Sequence, residues 1–127
     1  MNFVSRTRMG WAGLVLAAAL TGCANQPQQI YGWGHYQDSL YTWFKGENLD
    51  EQKQIDLLQA DLQQMQGKGK ACPPGLHAQL GLLYAHQGKS DEVVREFATE
   101  KQLYPESAAY MDFLLRNFKQ QQQVAKK

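Results

Sequence analysis

Apolar residues recur at steps of three and four along most of the chain after residue 35, and this helical period is the feature that most limits the fold. Between residues 49 and 66, Ile55, Leu58, Leu62 and Met65 fall on one helical face, while Gln, Asp, Glu and Lys occupy the other. The alternation of apolar and polar residues that is typical of a half-buried strand is not evident. The sequence therefore predicts an all-α fold.

Glycines and prolines divide this pattern into five predicted helices. The helices cover about residues 35–45, 49–66, 76–87, 90–103 and 106–120. Gly46 is expected to end the first helix, and Asp50 and Ser90 are expected to be the N-caps of the second and fourth. Because the connections are short, the helices should form an antiparallel array. The polar segment 121–127 is predicted to be a disordered tail.

The third and fourth helices have the lengths of a tetratricopeptide repeat, with a glycine between them and a proline after them. The signature positions of that repeat would be held by Leu80, Gly81, Tyr84, Gly88, Phe97 and Pro105. Gly81 is expected to let the two helices approach closely, and Tyr84 and Phe97 to fill the space between them. Pro105 should stop the second helix.

Several positions depart from the repeat consensus, so this is a divergent copy. His77 replaces a consensus Trp, and Glu100 replaces a consensus Ala. The first two helices read as a second, degenerate repeat, in which Phe44 and Leu57 precede Tyr84 and Phe97 by 40 residues. The last helix would be a capping helix, with Tyr110 and Phe113 predicted to lie in the core.

The N-terminus resembles the export signal of bacterial lipoproteins. Arg6 and Arg8 precede the apolar run Trp11–Leu20, which is shorter than the roughly 20 residues that a membrane-spanning helix needs. The run ends in Leu-Thr-Gly-Cys, which resembles a lipobox. The resemblance implies that residues 1–22 are removed, that Cys23 carries covalent lipid and acyl chains, and that residues 23–29 form a tether. The alternative is that Cys23 is a small apolar residue of a buried helix.

Composition sets the size and the charge of what would remain. Removing 22 of 127 residues leaves 105, which is enough for one domain, placed at residues 30–120. Loss of Arg6 and Arg8 reduces 13 basic residues to 11 against 12 acidic ones. A nucleic-acid partner is therefore not expected. Ala24 stands where lipoproteins retained in the inner membrane typically carry Asp, which resembles the outer-membrane class.

Aromatic residues cluster next to the tether, in the stretch IYGWGHY of residues 30–36. Such a cluster either docks on a partner protein or packs against the core of its own domain, and the sequence favours neither. Together with the first helix it supplies the candidate contact residues Tyr31, Trp33, Tyr36, Tyr41 and Trp43.

Residues that could carry catalysis or hold a metal do not form a known pattern. Cys72, His77 and His86 do not have the spacing of a zinc site, and no third group is indicated that would orient a Cys–His pair. Once Cys23 is lipidated, Cys72 has no cysteine partner within the chain; it could pair with another chain, but a tolerated loop cysteine is favoured. We expect neither an enzyme nor a metal or cofactor beyond the lipid on Cys23.

The stretches WGHYQDSLY and PESAAYMDFLLRN resemble a family of short proteobacterial lipoproteins of unknown function. Its members are typically encoded beside a lipoprotein similar to the curli secretion channel component and a second small lipoprotein. The resemblance implies a periplasmic multi-lipoprotein assembly at the outer membrane of a Gram-negative bacterium. The expected role is that of a protein-binding or assembly module, of unspecified oligomeric state. The alternative is an accessory factor for peptidoglycan remodelling or a direct glycan binder.

Overall fold

The computed structural model describes residues 27–46 and 50–126, and these residues form an array of five α-helices. The helices are α1 (Tyr36–Lys45), α2 (Glu51–Gly67), α3 (Leu76–His86), α4 (Ser90–Leu103) and α5 (Ala108–Ala125), with a 3₁₀ turn at Pro105–Ser107 before α5. The described residues contain one isolated parallel bridge, between Tyr31 and Ala71, and no strand. The all-α prediction is confirmed. None of the described helices is both long enough and apolar enough to cross a membrane.

The ends of α1 and α2 follow the local chemistry that the sequence predicts. Gly46 ends α1 in the left-handed conformation, with φ of 65°. Asp50 caps α2, since its Oδ1 accepts hydrogen bonds from the backbone N–H groups of Gln52 and Lys53 at 3.0 and 3.3 Å. The predicted start of α2 at residue 49 lies outside the described residues.

The centre of the fold is the antiparallel hairpin of α3 and α4. A Cβ atom on Gly81 would lie 2.3 Å from Cε1 of Phe97, so only glycine permits this approach of the two helices. Leu80, Tyr84 and Phe97 are all buried in the core, as predicted. Gly88 forms the exposed turn between the helices with φ of 70°, and the exposed Pro105 follows the end of α4.

The core extends from this hairpin into the other helices. Its buried apolar side chains come from all five of them, and each such side chain contributes roughly 1.5–3 kcal/mol when it is fully removed from water. The largest of those almost completely removed from solvent are Ile55, Leu58, Leu76, Leu80, Leu83, Phe97 and Met111.

Two predictions about helix ends are wrong. Ser90 is the first residue of α4 rather than its N-cap, which is Lys89. The Ser90 hydroxyl instead accepts a hydrogen bond from Gln122 Nε2 at 2.7 Å. Gln122 belongs to the segment that was predicted to be a disordered tail, but α5 continues to Ala125 because this part of it still packs along α4.

Two predictions about aromatic residues are also wrong. Tyr110 and Phe113 are 57% and 49% exposed. The face of α5 that packs on α4 is the one that carries Met111, and these two rings lie on the solvent side of the helix. Phe44 is 83% exposed, so it does not occupy a core position in α1 as Tyr84 does in α3. The interpretation of α1 and α2 as a degenerate repeat stays a prediction.

Because consecutive helices are antiparallel, the C-terminus of one helix lies beside the N-terminus of the next, and the array has two distinct ends. The N-terminus of α1 meets the N-terminus of α3, where Tyr36 OH donates to the carbonyl of Pro74 at 3.2 Å. The C-terminus of α4 lies there too, since Tyr104 OH donates to the carbonyl of Cys72. We call this the entry end, because the described chain begins here, and the opposite end, with the turn at Gly88, the far end.

Candidate functional site

The aromatic segment at the entry end docks on its own domain. Gly32 N–H donates to the carbonyl of Ala71 at 3.0 Å, and Ala71 N–H donates to the carbonyl of Ile30 at 3.1 Å. A Cβ atom on Gly32 would lie 2.5 Å from Cγ of Met65, so the backbone passes directly over α2. Of the two readings that the sequence left open, the structure therefore shows packing against the core.

A buried carboxylate of α2 holds this segment in place. Asp61 Oδ2 accepts a hydrogen bond from the backbone N–H of His35 at 2.5 Å, and His35 Nδ1 lies 3.0 Å from Asp61 Oδ1. Gly34 has φ of 45°, and a Cβ atom there would lie 2.3 Å from the carboxyl carbon of Asp61. The turn thus needs glycine both for its conformation and for its contact with Asp61. Asp61 was not singled out from the sequence, because its position on the helix carries no signal of the contact.

The three aromatic residues predicted for contact in this segment have different exposures. Tyr36 is only 7% exposed, and its ring lies parallel to that of Trp33, with 6.5 Å between the ring centroids. Tyr31 meets Trp33 edge to face at 5.9 Å, and both are partly exposed. The prediction that Tyr36 lies in a contact surface is wrong, because this side chain is part of the core.

The two candidates on α1 are also placed differently. Tyr41 is exposed, and the ammonium group of Lys45 lies 4.6 Å from the centroid of its ring. Trp43 is partly buried and packs on the imidazole of His86, with 4.5 Å between the ring centroids. Phe44, which was not among the candidates, lies beside Tyr41 on the outer face of α1 and is the more exposed of the two.

A groove of about 540 Å³ separates α1 from α2. Ser39 Oγ donates to Gln54 Oε1 at 2.9 Å across it, and Leu57 and Leu58 supply apolar lining. The remaining lining residues are His35, Asp38, Thr42, Asp50 and Lys53. The groove thus combines an apolar wall with both signs of charge.

A second buried carboxylate is that of Glu100 in α4. Its Oε1 accepts a hydrogen bond from the backbone N–H of Gly75 at 2.7 Å, so a side chain of α4 caps the start of α3. Its Oε2 is buried without a hydrogen-bond partner among the described residues. Gly75 itself has φ of 90°, and a Cβ atom there would meet the hydroxyl of Tyr36.

Three weakly acidic groups surround this cap, and all of them favour their protonated forms. Burial raises the pKa of Tyr36, of Cys72 and of Tyr104, each to about 12, and the nearby negative charge of Glu100 adds to the shift in all three. Because the thiolate is the reactive form of cysteine, Cys72 is held in its unreactive state. This agrees with its interpretation as a tolerated loop cysteine.

Each of the three histidines has a carboxylate beside its Nδ1 atom. His77 lies 2.7 Å from Glu96, and His86 lies 3.0 Å from Glu51, in addition to the pair of His35 with Asp61. These pairs connect different elements of the fold. Among the described residues, no three His, Cys, Asp or Glu side chains come together in a way that could hold a metal ion. Cys23, the predicted lipidation site, lies outside the described residues.

Comparison with known proteins gives one match. Residues 30–114 match the family described as a domain of unknown function, DUF4810. A search of curated proteins and a search of solved structures each found no match. The matched segment begins at the docked aromatic segment and ends within α5, so it includes both buried carboxylates and the hairpin of α3 and α4. Because the match covers more than half of the sequence, this chain belongs to the DUF4810 family.

Proposed function

We propose that the domain is a protein-binding or assembly module of the bacterial envelope, anchored to the outer membrane by lipid on Cys23. The support for the anchor is the sequence Leu-Thr-Gly-Cys after a basic segment and a short apolar run. Its partners would be other envelope lipoproteins, including one similar to the curli secretion channel component. No catalytic step belongs to this proposal.

The observation that carries the proposal is the exposure of aromatic side chains on the two outermost helices. On α1, Tyr41 and Phe44 are three residues apart and share the outer face. On α5, Tyr110 and Phe113 have the same spacing, and their rings stack with 6.5 Å between the centroids. Single exposed apolar residues are common on proteins, but aromatic residues are enriched in protein–protein interfaces, and each of these two helices exposes two of them.

Anchoring would strengthen weak contacts of this kind. A lipid on Cys23 confines the domain to a surface that its partners share, which raises their effective concentration. Lys70 binds the carbonyl of Gln29, six residues after Cys23, so the domain would stay within a short length of chain of that surface. A small contact area is then sufficient for assembly.

Photo-crosslinking in intact cells tests the proposal. A photo-reactive phenylalanine would replace Phe44 or Phe113, and as a control the exposed Gln63 on α2. We expect one envelope lipoprotein, identified by mass spectrometry, to be joined at Phe44 or Phe113 but not at Gln63, and to be lost in a Cys23→Ala version. Intact mass of the membrane-purified protein reports the lipid directly. The absence of a specific product at both aromatic sites would contradict the binding role, and retention on purified wall sacculi would favour the glycan alternative.

A further inference from the structure

We infer that the entry end carries a second contact with the membrane, in which Ile30, Tyr31, Trp33, Lys68 and Lys70 lie on the headgroups of anionic phospholipids. This inference rests on the proposed anchor at Cys23 and adds to it an orientation. The helices would stand on the membrane with the entry end down and the far end facing away.

The chain enters the fold at the connection between α2 and α3. Gln29 and Ile30 are bound to the connection between α2 and α3, through the bridge at Ala71 and through Lys70 Nζ, which donates to the carbonyl of Gln29 at 2.5 Å. The residues that lead toward Cys23 therefore start from a fixed point beside Lys68 and Lys70.

Only a short length of chain joins Gln29 to the predicted lipid on Cys23. Five residues, 24–28, separate Cys23 from Gln29. Even a fully extended chain over these six residue steps spans only about 22 Å, since each residue adds at most roughly 3.6 Å. The entry end is therefore held within this reach of the lipid, which is shorter than α2, whose 17 residues span about 26 Å.

The surface of the entry end combines apolar, aromatic and basic side chains. Ile30 is 72% exposed, and Tyr31 and Trp33 are partly exposed beside it. Lys68 and Lys70 line the same small cavity of about 160 Å³ as both rings. Tyr, Trp and Lys side chains beside an exposed apolar residue are the combination found at membrane–water interfaces, where rings sit at the headgroup level and ammonium groups meet phosphates.

The charges near the two lysines leave them available for phosphate. Neither Lys68 nor Lys70 forms an ion pair with a carboxylate among the described residues. Asp61 also lines the cavity, but its side chain is 7% exposed and is bound to His35. Each lysine near an anionic surface strengthens binding roughly fivefold.

The two tryptophans outside the predicted signal lie toward opposite ends of the array, which makes the orientation measurable. Trp33 is at the entry end, and Trp43 packs on His86 at the C-terminus of α3.

Full-length protein purified from membranes would be prepared as Trp43→Phe, which leaves Trp33, and as Trp33→Phe, which leaves Trp43. Intact mass would establish that the segment with Trp11 has been removed. Each form is placed in phosphatidylcholine vesicles with and without phosphatidylglycerol, and its fluorescence is quenched by headgroup-labelled lipid.

We expect at least twofold stronger quenching of Trp33 than of Trp43 in anionic vesicles. Lys68→Gln in the Trp43→Phe protein should weaken that quenching, and Lys89→Gln at the far end should leave it unchanged. Equal quenching of the two tryptophans, or indifference to phosphatidylglycerol, would overturn the inference while flotation with the vesicles still supports the anchor. Protein that does not float with vesicles would overturn the anchor and this inference together.

Discussion

The pair α3 and α4 and the pair α1 and α2 have similar patterns in the sequence but pack in different ways. In the first pair, the ring of Phe97 lies directly against the backbone of Gly81, and the space between the helices is filled. In the second pair, a groove of about 540 Å³ stays open. The difference shows that a helical period alone does not determine how closely two helices approach.

The contacts of α1 explain the groove. Its side chains contact α3 and the segment before it, through Tyr36 with Pro74 and Trp43 with His86. What joins α1 to α2 is polar: Ser39 with Gln54, and the Asp61 contact just before the helix starts. A hairpin with a close apolar interface therefore stands beside a helix that faces α2 across an open groove with a hydrogen bond.

The largest effect in this comparison is expected from truncating an aromatic side chain in each pair. Phe97→Ala should lower the free energy of unfolding by about 3–5 kcal/mol, because it opens a cavity against Gly81. Phe44→Ala, on the exposed face of α1, should change it by less than about 0.5 kcal/mol. Urea unfolding measures both. Equal losses would mean that the two pairs are packed alike.

The next effect concerns the junction of the two pairs, around the cap at Gly75. Burial raises the pKa of Tyr36, Cys72 and Tyr104 to about 12 in the folded chain, whereas the ordinary pKa is 10.0 for tyrosine and 9.0 for cysteine. Above pH 9 the unfolded chain therefore holds fewer protons than the folded chain, so the free energy of unfolding should fall between about pH 9 and pH 12. Thermal unfolding across this range measures it.

A cysteine variant isolates one part of that pH dependence. Cys72→Ala should move the start of the decline from about pH 9 toward pH 10, where the tyrosines begin to titrate. An identical pH profile in this variant would show that the thiol is not protected in the folded chain.

The smallest effect is expected at the polar contact that holds the entry segment to α2. Asp61→Ala should lower the free energy of unfolding by about 1–3 kcal/mol, since the N–H of His35 loses a charged acceptor. Asp61→Asn keeps an acceptor oxygen and should cost less. Hydrogen exchange should accelerate at the His35 amide in Asp61→Ala while the α3–α4 hairpin keeps its protection. Equal acceleration in both regions would indicate that they unfold as one unit.

The sequence predicted the helices well, because their signals are local. The cap at Asp50, the left-handed Gly46 and the glycine turn at Gly88 depend on neighbouring residues. Burial was harder to predict. Tyr110 and Phe113 have helical spacing, but within the described part of the chain α5 packs chiefly on α4, so part of its apolar surface stays outside.

The tertiary contacts of the candidate site could not be predicted from local patterns. Asp61 and His35 are 26 residues apart, and Glu100 and Gly75 are 25 apart. A carboxylate on an amphipathic helix normally faces water, so nothing in the sequence marks these two as buried. The aromatic cluster was recognised as unusual, but its contact with the core depends on both the bridge to Ala71 and the fit of Gly32 over Met65.

The cap at the start of α3 has a consequence for how this family can diverge. Gly75 and Glu100 depend on each other, because the backbone amide of Gly75 donates its hydrogen bond to the Glu100 carboxylate. Tyr36 leaves no room for a side chain at position 75. A relative that returns to a small residue at position 100 must supply another acceptor for that amide. We therefore expect substitutions at positions 36, 75 and 100 to be correlated among relatives, a pattern that comparing one position at a time would miss.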